Sequence, residues 1–253
     1  MDMDQLMEKG PGATIVSAFM ININYRADRN YDKYFMLAKQ LLAVPMNKII
    51  FLDKSILGYF KDYINEYTTL IPFEKGSNYL YEYLDKLDDF DLNTQNPSKD
   101  TIEYMFTMGF KTEFVRKAIQ LNNYNANQYI WMDLGIKHMM DISQDEFTEK
   151  VKRLQYLEYP HNVRIAAIWN PDHNYQLDLY KDICWCFAGS IFGGNVPSLL
   201  EFADLTKKKC LEIIETKKHL MWEINVWKLV YNDDRWKFLF YNCSHDTSIL
   251  DNY

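Results

Sequence analysis

The sequence predicts an α/β domain in which helices flank an open sheet, mixed but mainly parallel. Three observations lead there. Short apolar runs rich in β-branched and aromatic residues, at 14–19, 48–53, 68–71 and 129–133, alternate with stretches whose apolar residues recur at helical spacing. Two of these runs end in a carboxylate, Asp53 and Asp133, and open α/β sheets bind ligands just beyond the C-terminal ends of their strands. The 253 residues are 48% hydrophobic and 25% charged, enough to bury a large core without a second domain. No repeat, low-complexity tract or linker divides the chain, so a polar leader at 1–12 and one domain at 13–253 are expected.

Each element has a local reason. TIVSAF at 14–19 is a compact strand-forming run, followed by a polar loop at 22–30 that carries Arg26 and Arg29. Tyr31, Tyr34, Phe35, Leu37, Ala38, Leu41 and Leu42 recur at helical spacing, and Pro45 ends that helix. KIIFLD at 48–53 is the second strand, and Ser55 is placed to cap a helix through Ile56, Phe60, Tyr63 and Ile64. TTLI at 68–71 forms a third strand closed by Pro72. The acidic stretch 85–91 reads as an exposed helix end running into a polar gap at 93–100. Thr112 and Glu113 open a helix that feeds the strand at 129–133; a helix at 141–154 and a strand at 163–169 follow. In the last third, CFAGSIFGG at 186–194 predicts a glycine turn around 192–194 before a long helix at 196–218. An aromatic-rich segment at 219–230 carries Glu223, and 236–241 is the closing strand.

Composition narrows the function. A formal charge of −7 disfavours nucleic acid as the main partner, since phosphate binding relies on clustered Lys and Arg. The longest basic run, 207–209, falls within a helical pattern and reads as a solvated face. The 19 Tyr, 15 Phe and 6 Trp suit a core, and also the apolar platforms on which sugars and bases stack. Cys184-Trp185-Cys186 lacks the two-residue gap of zinc and thioredoxin-like sites, so the four cysteines read as reduced thiols of a cytoplasmic protein. The polar, acidic start carries no signal peptide, and no apolar run is long enough to span a bilayer. Hydrolase, Walker and dinucleotide motifs (GxSxG, HExxH, GKS, GxGxxG) are missing.

Four elements can carry chemistry. Asp53 and Asp133 either cap the turns after their strands or reach a ligand at the sheet edge. Gly193 and Gly194 allow a close backbone approach to a diphosphate or acceptor, or simply form a tight turn. Glu223, flanked by Trp222 and Trp227, is a candidate base, because burial beside rings raises a carboxylate's pKa. His245, after the last strand, is a candidate metal ligand with Asp133. His161 and His173 sit in polar loops and read as solvated.

With these residues in place, the chain resembles the HtrL/YibB (WlaTC) family of bacterial and viral glycosyltransferases. The anchors are TIVSAF at 14–19 with Arg26 and Tyr31, FLD at 51–53, KTEF at 111–114 with Arg116, WMDLGI at 131–136, AGSIFGG at 188–194 and HDTS at 245–248. They run from about residue 13 to 250, and WMDLGI and AGSIFGG are the most specific. The resemblance implies a GT-A-like fold and transfer of a sugar from a UDP- or GDP-sugar to a hydroxyl of a glycan or glycoconjugate. It places Asp133 and Gly135 at the DxD position, and Ser17, Ala18, Arg26 and Asp53 around the base and ribose. Lys111 or Arg116 would neutralise the leaving diphosphate, and Gly193 and Gly194 would face the transferred sugar. Trp222 and Trp227 would flank the acceptor beside Glu223, while Asp133 and His245 would hold Mn or Mg. Gly135 stands where a DxD motif has its second aspartate, so metal dependence stays open. A binding module with a degenerate site and a nucleotide-sugar hydrolase are the alternatives.

Overall fold

The computed structural model describes residues 12–21, 30–89, 91–159, 161–233 and 238–253. Within these, the apolar runs become β1 (Thr14–Phe19), β2 (Lys48–Asp53), β3 (Thr68–Phe73), β4 (Gln128–Met132), β5 (Arg164–Ala167), β6 (Ile191–Asn195) and β7 (Leu239–Asn242). They form one sheet in the order β3-β2-β1-β4-β6-β5-β7. Every neighbouring pair is parallel except those of β6, which runs against both β4 and β5. The sheet is therefore mixed and mainly parallel, as the alternating pattern requires.

Helices cover both faces: α1 (Tyr31–Leu42), α2 (Ile102–Gly109), α3 (Lys111–Leu121), α4 (Gln144–Arg153), α5 (Val196–Lys217), α6 (Glu223–Asn232) and the short α7 (Ser248–Asp251). Successive strand residues point to opposite faces. Val16, Phe51, Trp131 and Phe192 pack with α2, α3, α5 and α6. Ile15, Ile50, Ile130 and Ile191 pack with α1, α4 and α7 on the other side. Burial on both faces explains why the central strands are almost wholly apolar. No described helix is long and apolar enough to cross a membrane.

Local chemistry sets the helix ends. The Asn30 side chain accepts from Lys33 N at 3.0 Å to start α1, and Asn195 accepts from Ser198 N at 2.9 Å to start α5. Residues in left-handed geometry end α3 at Asn122 (φ 47°) and α5 at Lys218 (φ 59°). Lys48, wholly buried at the head of β2, donates to the carbonyls of Val44 and Met46 just beyond α1, and burial lowers its pKa to about 8.

Several expectations need correction. The segment after β2 is a 3-10 helix, Lys54–Tyr63, and its cap is Asp53, whose Oδ1 accepts from Ser55 N at 2.9 Å and Ser55 Oγ at 2.6 Å. Pro72 lies inside β3 instead of closing it, which an edge strand tolerates because its outer side needs no N–H. The acidic stretch does begin at an exposed helix end, since the 3-10 helix Tyr79–Lys86 takes in Asp85, but α2 is a separate helix begun by Thr101. The strand expected at 163–169 is confined to Arg164–Ala167. The closing strand is described as Leu239–Asn242; residues 234–237 lie outside the described residues, as does Arg26.

The glycine pair is the largest correction. Gly193 and Gly194 form no turn: they lie in β6, paired with Ile130 and Tyr129 of β4. A Cβ on Gly193 would overlap the Tyr253 hydroxyl and come within 2.8 Å of Tyr129 O; one on Gly194 would come within 2.8 Å of Asn162 O. These glycines make room for neighbouring chain inside the sheet. Gly193→Ala is expected to destabilise the protein by about 2 kcal/mol through overpacking, measurable as a lowered urea midpoint at unchanged slope. An unchanged midpoint would show that Tyr253 and the paired strand both yield without cost.

Candidate functional site

The parallel strands present their C-terminal ends to a cleft of about 400 Å³. Ala18 and Phe19 reach it from the end of β1, Asp133 from the residue after β4, and Gly189 and Ser190 from the approach to β6. Lys111 enters from the first residue of α3, Glu223 from the first residue of α6, and His245 from beyond β7. Open α/β sheets bind ligands at this edge, and helix N-termini favour negative charge.

At the centre lies Lys111, 2% exposed. Its ammonium donates to Glu223 Oε1 and Gly189 O, each at 2.9 Å, and forms an ion pair with Asp133 Oδ1 at 3.1 Å. Two of the three ammonium donors thus go to Glu223 and Gly189, and its charge faces Asp133 as an ion pair. Trp131 adds its indole N–H to Asp133 Oδ1 at 2.9 Å. The Asp133 amide donates to Ser190 O at 2.9 Å, which ties the end of β4 to the entry of β6. Glu223 is buried, whereas the Asp133 side chain is 39% exposed to the cleft. One cation and two carboxylates thus leave a net charge of −1 at the cleft floor.

Burial pushes the Lys111 pKa down, but the Asp133 and Glu223 carboxylates outweigh it and hold the group above its ordinary 10.5. Burial also raises the Tyr104 hydroxyl on the cleft wall well above its usual value, with further push from the charges of Glu223 and Asp133. His245 shifts the other way: burial lowers its pKa, opposed by the Asp246 charge, and its ring stands edge-on to Trp185 with centroids 4.9 Å apart.

The expected site residues separate into two groups. Ala18, Lys111, Asp133, Gly135, Trp222, Glu223 and His245 all line the cleft. Ser17 is wholly buried within β1, and Asp53 spends its Oδ1 on the cap. Arg116 bonds Glu113, Leu200 O and Asp204, so it serves the contact of α3 with α5. Trp227 is wholly buried against Phe192 and Phe202 and belongs to the core. Glu223 is not isolated among aromatic rings, because its carboxylate meets Lys111.

Some lining residues went unassigned from sequence. Gly189 lay in the AGSIFGG run but gained no role beside Gly193 and Gly194. Trp185 also lines the cleft, within a Cys184-Trp185-Cys186 segment whose spacing matches no zinc or thioredoxin-like site. The flanking Cys184 and Cys186 thiols are free and 3.3 Å apart; their contact lowers Cys184 to about 7 and raises Cys186. Buried Asn225 of α6 fixes this loop, accepting from Cys184 N at 2.9 Å and donating to Leu179 O and Asp182 O at 2.7 Å.

No group of three His, Cys, Asp or Glu side chains able to hold a metal occurs among the described residues. Asp133 and His245 do line one cleft, and they offer a hard oxygen and an imidazole that burial biases towards its neutral form. Hard divalent ions often complete their shells with substrate phosphates and water. Two protein donors are too few for a cage built by protein alone.

No protein-family model matches the chain, and no curated protein matches it. Among solved structures, the chain is similar to 4-diphosphocytidyl-2C-methyl-D-erythritol synthase from Anaerococcus prevotii, with 9% identity and TM-score 0.43 over 93% of this chain and 90% of that one. It is also similar to Rv0371c from Mycobacterium tuberculosis, at 9% identity and TM-score 0.44 over 94% and 90%. The manganese complex of Rv0371c gives 11% identity and TM-score 0.41 over the same shares. Such scores carry no weight for activity, so the functional reading rests on the cleft itself.

The charge cluster has a consequence for stability. Removing Lys111 leaves two carboxylates facing each other, and breaking a buried pair costs about 3–5 kcal/mol. Lys111→Met should lower unfolding free energy by about that much at pH 7. Because the folded state holds the Lys111 pKa above its ordinary 10.5, the contribution is complete below pH 10.5 and is lost only as pH rises through the higher folded value. Urea unfolding at pH 8 and pH 9.5, where the paired carboxylates of the variant stay ionised, should give the same gap between wild type and variant; a gap that closes by pH 9.5 would refute the assignment.

Proposed function

We propose that the chain is a glycosyltransferase that moves a sugar from a UDP- or GDP-sugar to a hydroxyl of a glycan or glycoconjugate, in line with its resemblance to HtrL/YibB proteins. The observation that carries this reading is the Lys111 ammonium joining Asp133 and Glu223 at the edge where parallel strands end. Two carboxylates with different exposure suit two tasks.

Asp133, half-open to the cleft, takes the donor side, where ribose and diphosphate lie. When Mn or Mg is bound there, Asp133 and His245 are its protein ligands, and the ion supplies neutralisation of the leaving diphosphate. Glu223 takes the acceptor side. Its Oε1 is engaged by Lys111, so its other oxygen receives the proton of the attacking hydroxyl. Lys111 holds both carboxylates in place. Trp222 and Trp185 give the cleft apolar walls against which a sugar ring can rest. Ala18 and Phe19 do the same for the base. Arg116 and Trp227, held by α5 and the core, take no part.

Incubation with UDP- and GDP-sugars, Mn and candidate acceptors should release nucleoside diphosphate in an acceptor-dependent way. Release that ignores acceptor would identify a hydrolase, and binding without release a recognition module. Asp133→Ala should cut release by about 100-fold or more; wild-type rates in that variant would take Asp133 out of the site. In His245→Ala the stimulation by Mn should disappear, and a full response to Mn would exclude it as a ligand.

A further inference from the structure

We propose that Gly189 is a positioning residue whose missing side chain sets where Glu223 and Lys111 meet. Its conformation gives no reason for glycine, since no described glycine has a positive φ. The reason is space. A Cβ built on Gly189 would overlap Glu223 Oε1, lie 3.1 Å from Glu223 Cδ and lie 3.3 Å from Lys111 Nζ. The Gly189 carbonyl meanwhile accepts from the same Lys111 ammonium at 2.9 Å. One residue thus supplies both a bond to the cation and the gap that its anionic partner fills.

The backbone is held, so the carboxylate is what must move. On the backbone side, Ala188 N donates to Ala166 O at 2.9 Å and Ser190 O accepts from Asp133 N at 2.9 Å, so residues 188–190 are tied to β5 and to the end of β4. On the other side, Glu223 lies between Trp222 and Ile224, each 3% exposed, at the fixed start of α6. A methyl group at 189 must therefore push the carboxylate off Lys111. The ammonium would keep Asp133 and lose its second anion, so damage would fall on the Glu223 side of the cleft and spare the Asp133 side.

A double-mutant cycle in thermal unfolding tests the steric part without reference to activity. Gly189→Ala should lower Tm by about 4 °C or more in the wild-type background and by clearly less in the Glu223→Ala background, where the overlapped oxygen is gone. If Gly189→Ala alone fails to fold, the double variant should fold. An equal drop in both backgrounds, or failure of both variants to fold, would overturn the proposal. The kinetic part rests on the glycosyltransferase reading: Gly189→Ala should lower kcat by about 100-fold while donor KM changes less than about threefold. Wild-type kcat in Gly189→Ala, with Glu223→Ala inactive, would overturn it. Absence of transfer by the wild type would sink the reading and leave the unfolding cycle standing.

Discussion

Much of the molecule depends on one buried cation. Lys111 is nearly inaccessible to water, and its charge is tolerable only because two carboxylates and a carbonyl surround it. Lys111 opens α3, and its partners come from three further places: the end of β4, the approach to β6 and the start of α6. Each lies at the same edge of the sheet because the strand order brings it there. The bond network therefore holds the cleft floor together and gives it its charge.

The core reaches this network through aromatic rings. Phe114 of α3 stacks on Trp131 at 6.0 Å, Trp131 on Phe192 at 6.3 Å, and Phe192 meets Trp227 edge-on at 5.2 Å. Trp131 sits within this series and also donates its indole N–H to Asp133. Shape packing and site geometry meet in that one side chain, so the carboxylate inherits the rigidity of the core.

The fold was readable wherever apolar period and residue type agreed, as in β1, β2, β4 and the helices α1 and α5. The misreadings share a cause: the deciding contact lies far away in sequence. Gly193 and Gly194 look like a turn until Tyr253 and Asn162 arrive to fill the space beside them. Lys111 and Arg116 look equivalent, yet five residues turn a helix by about 140° past a full circle, so one meets the cleft and the other meets α5. Trp222 and Trp227 are likewise five apart and divide between cleft and core. Asp53 and Asp133 both end strands, but only Asp133 stands opposite a cation; the neighbour of Asp53 is its own Ser55. The bond from Lys111 to Glu223 spans 112 residues, and nothing local announces it.

That span bears on how the chain folds. β1, β2 and β3 pair with neighbours close in sequence, so this part of the sheet can form early. The cleft needs β4 beside β1, then β6 against β4, then the start of α6 brought to Lys111, and each step closes a long loop. Until the last closure, Lys111, Asp133 and Glu223 are unpaired charges that water must solvate. The ion network is therefore a late product of folding, and it rewards only the chain that has completed every crossover. An intermediate can hold most of the sheet and still have no floor to its cleft.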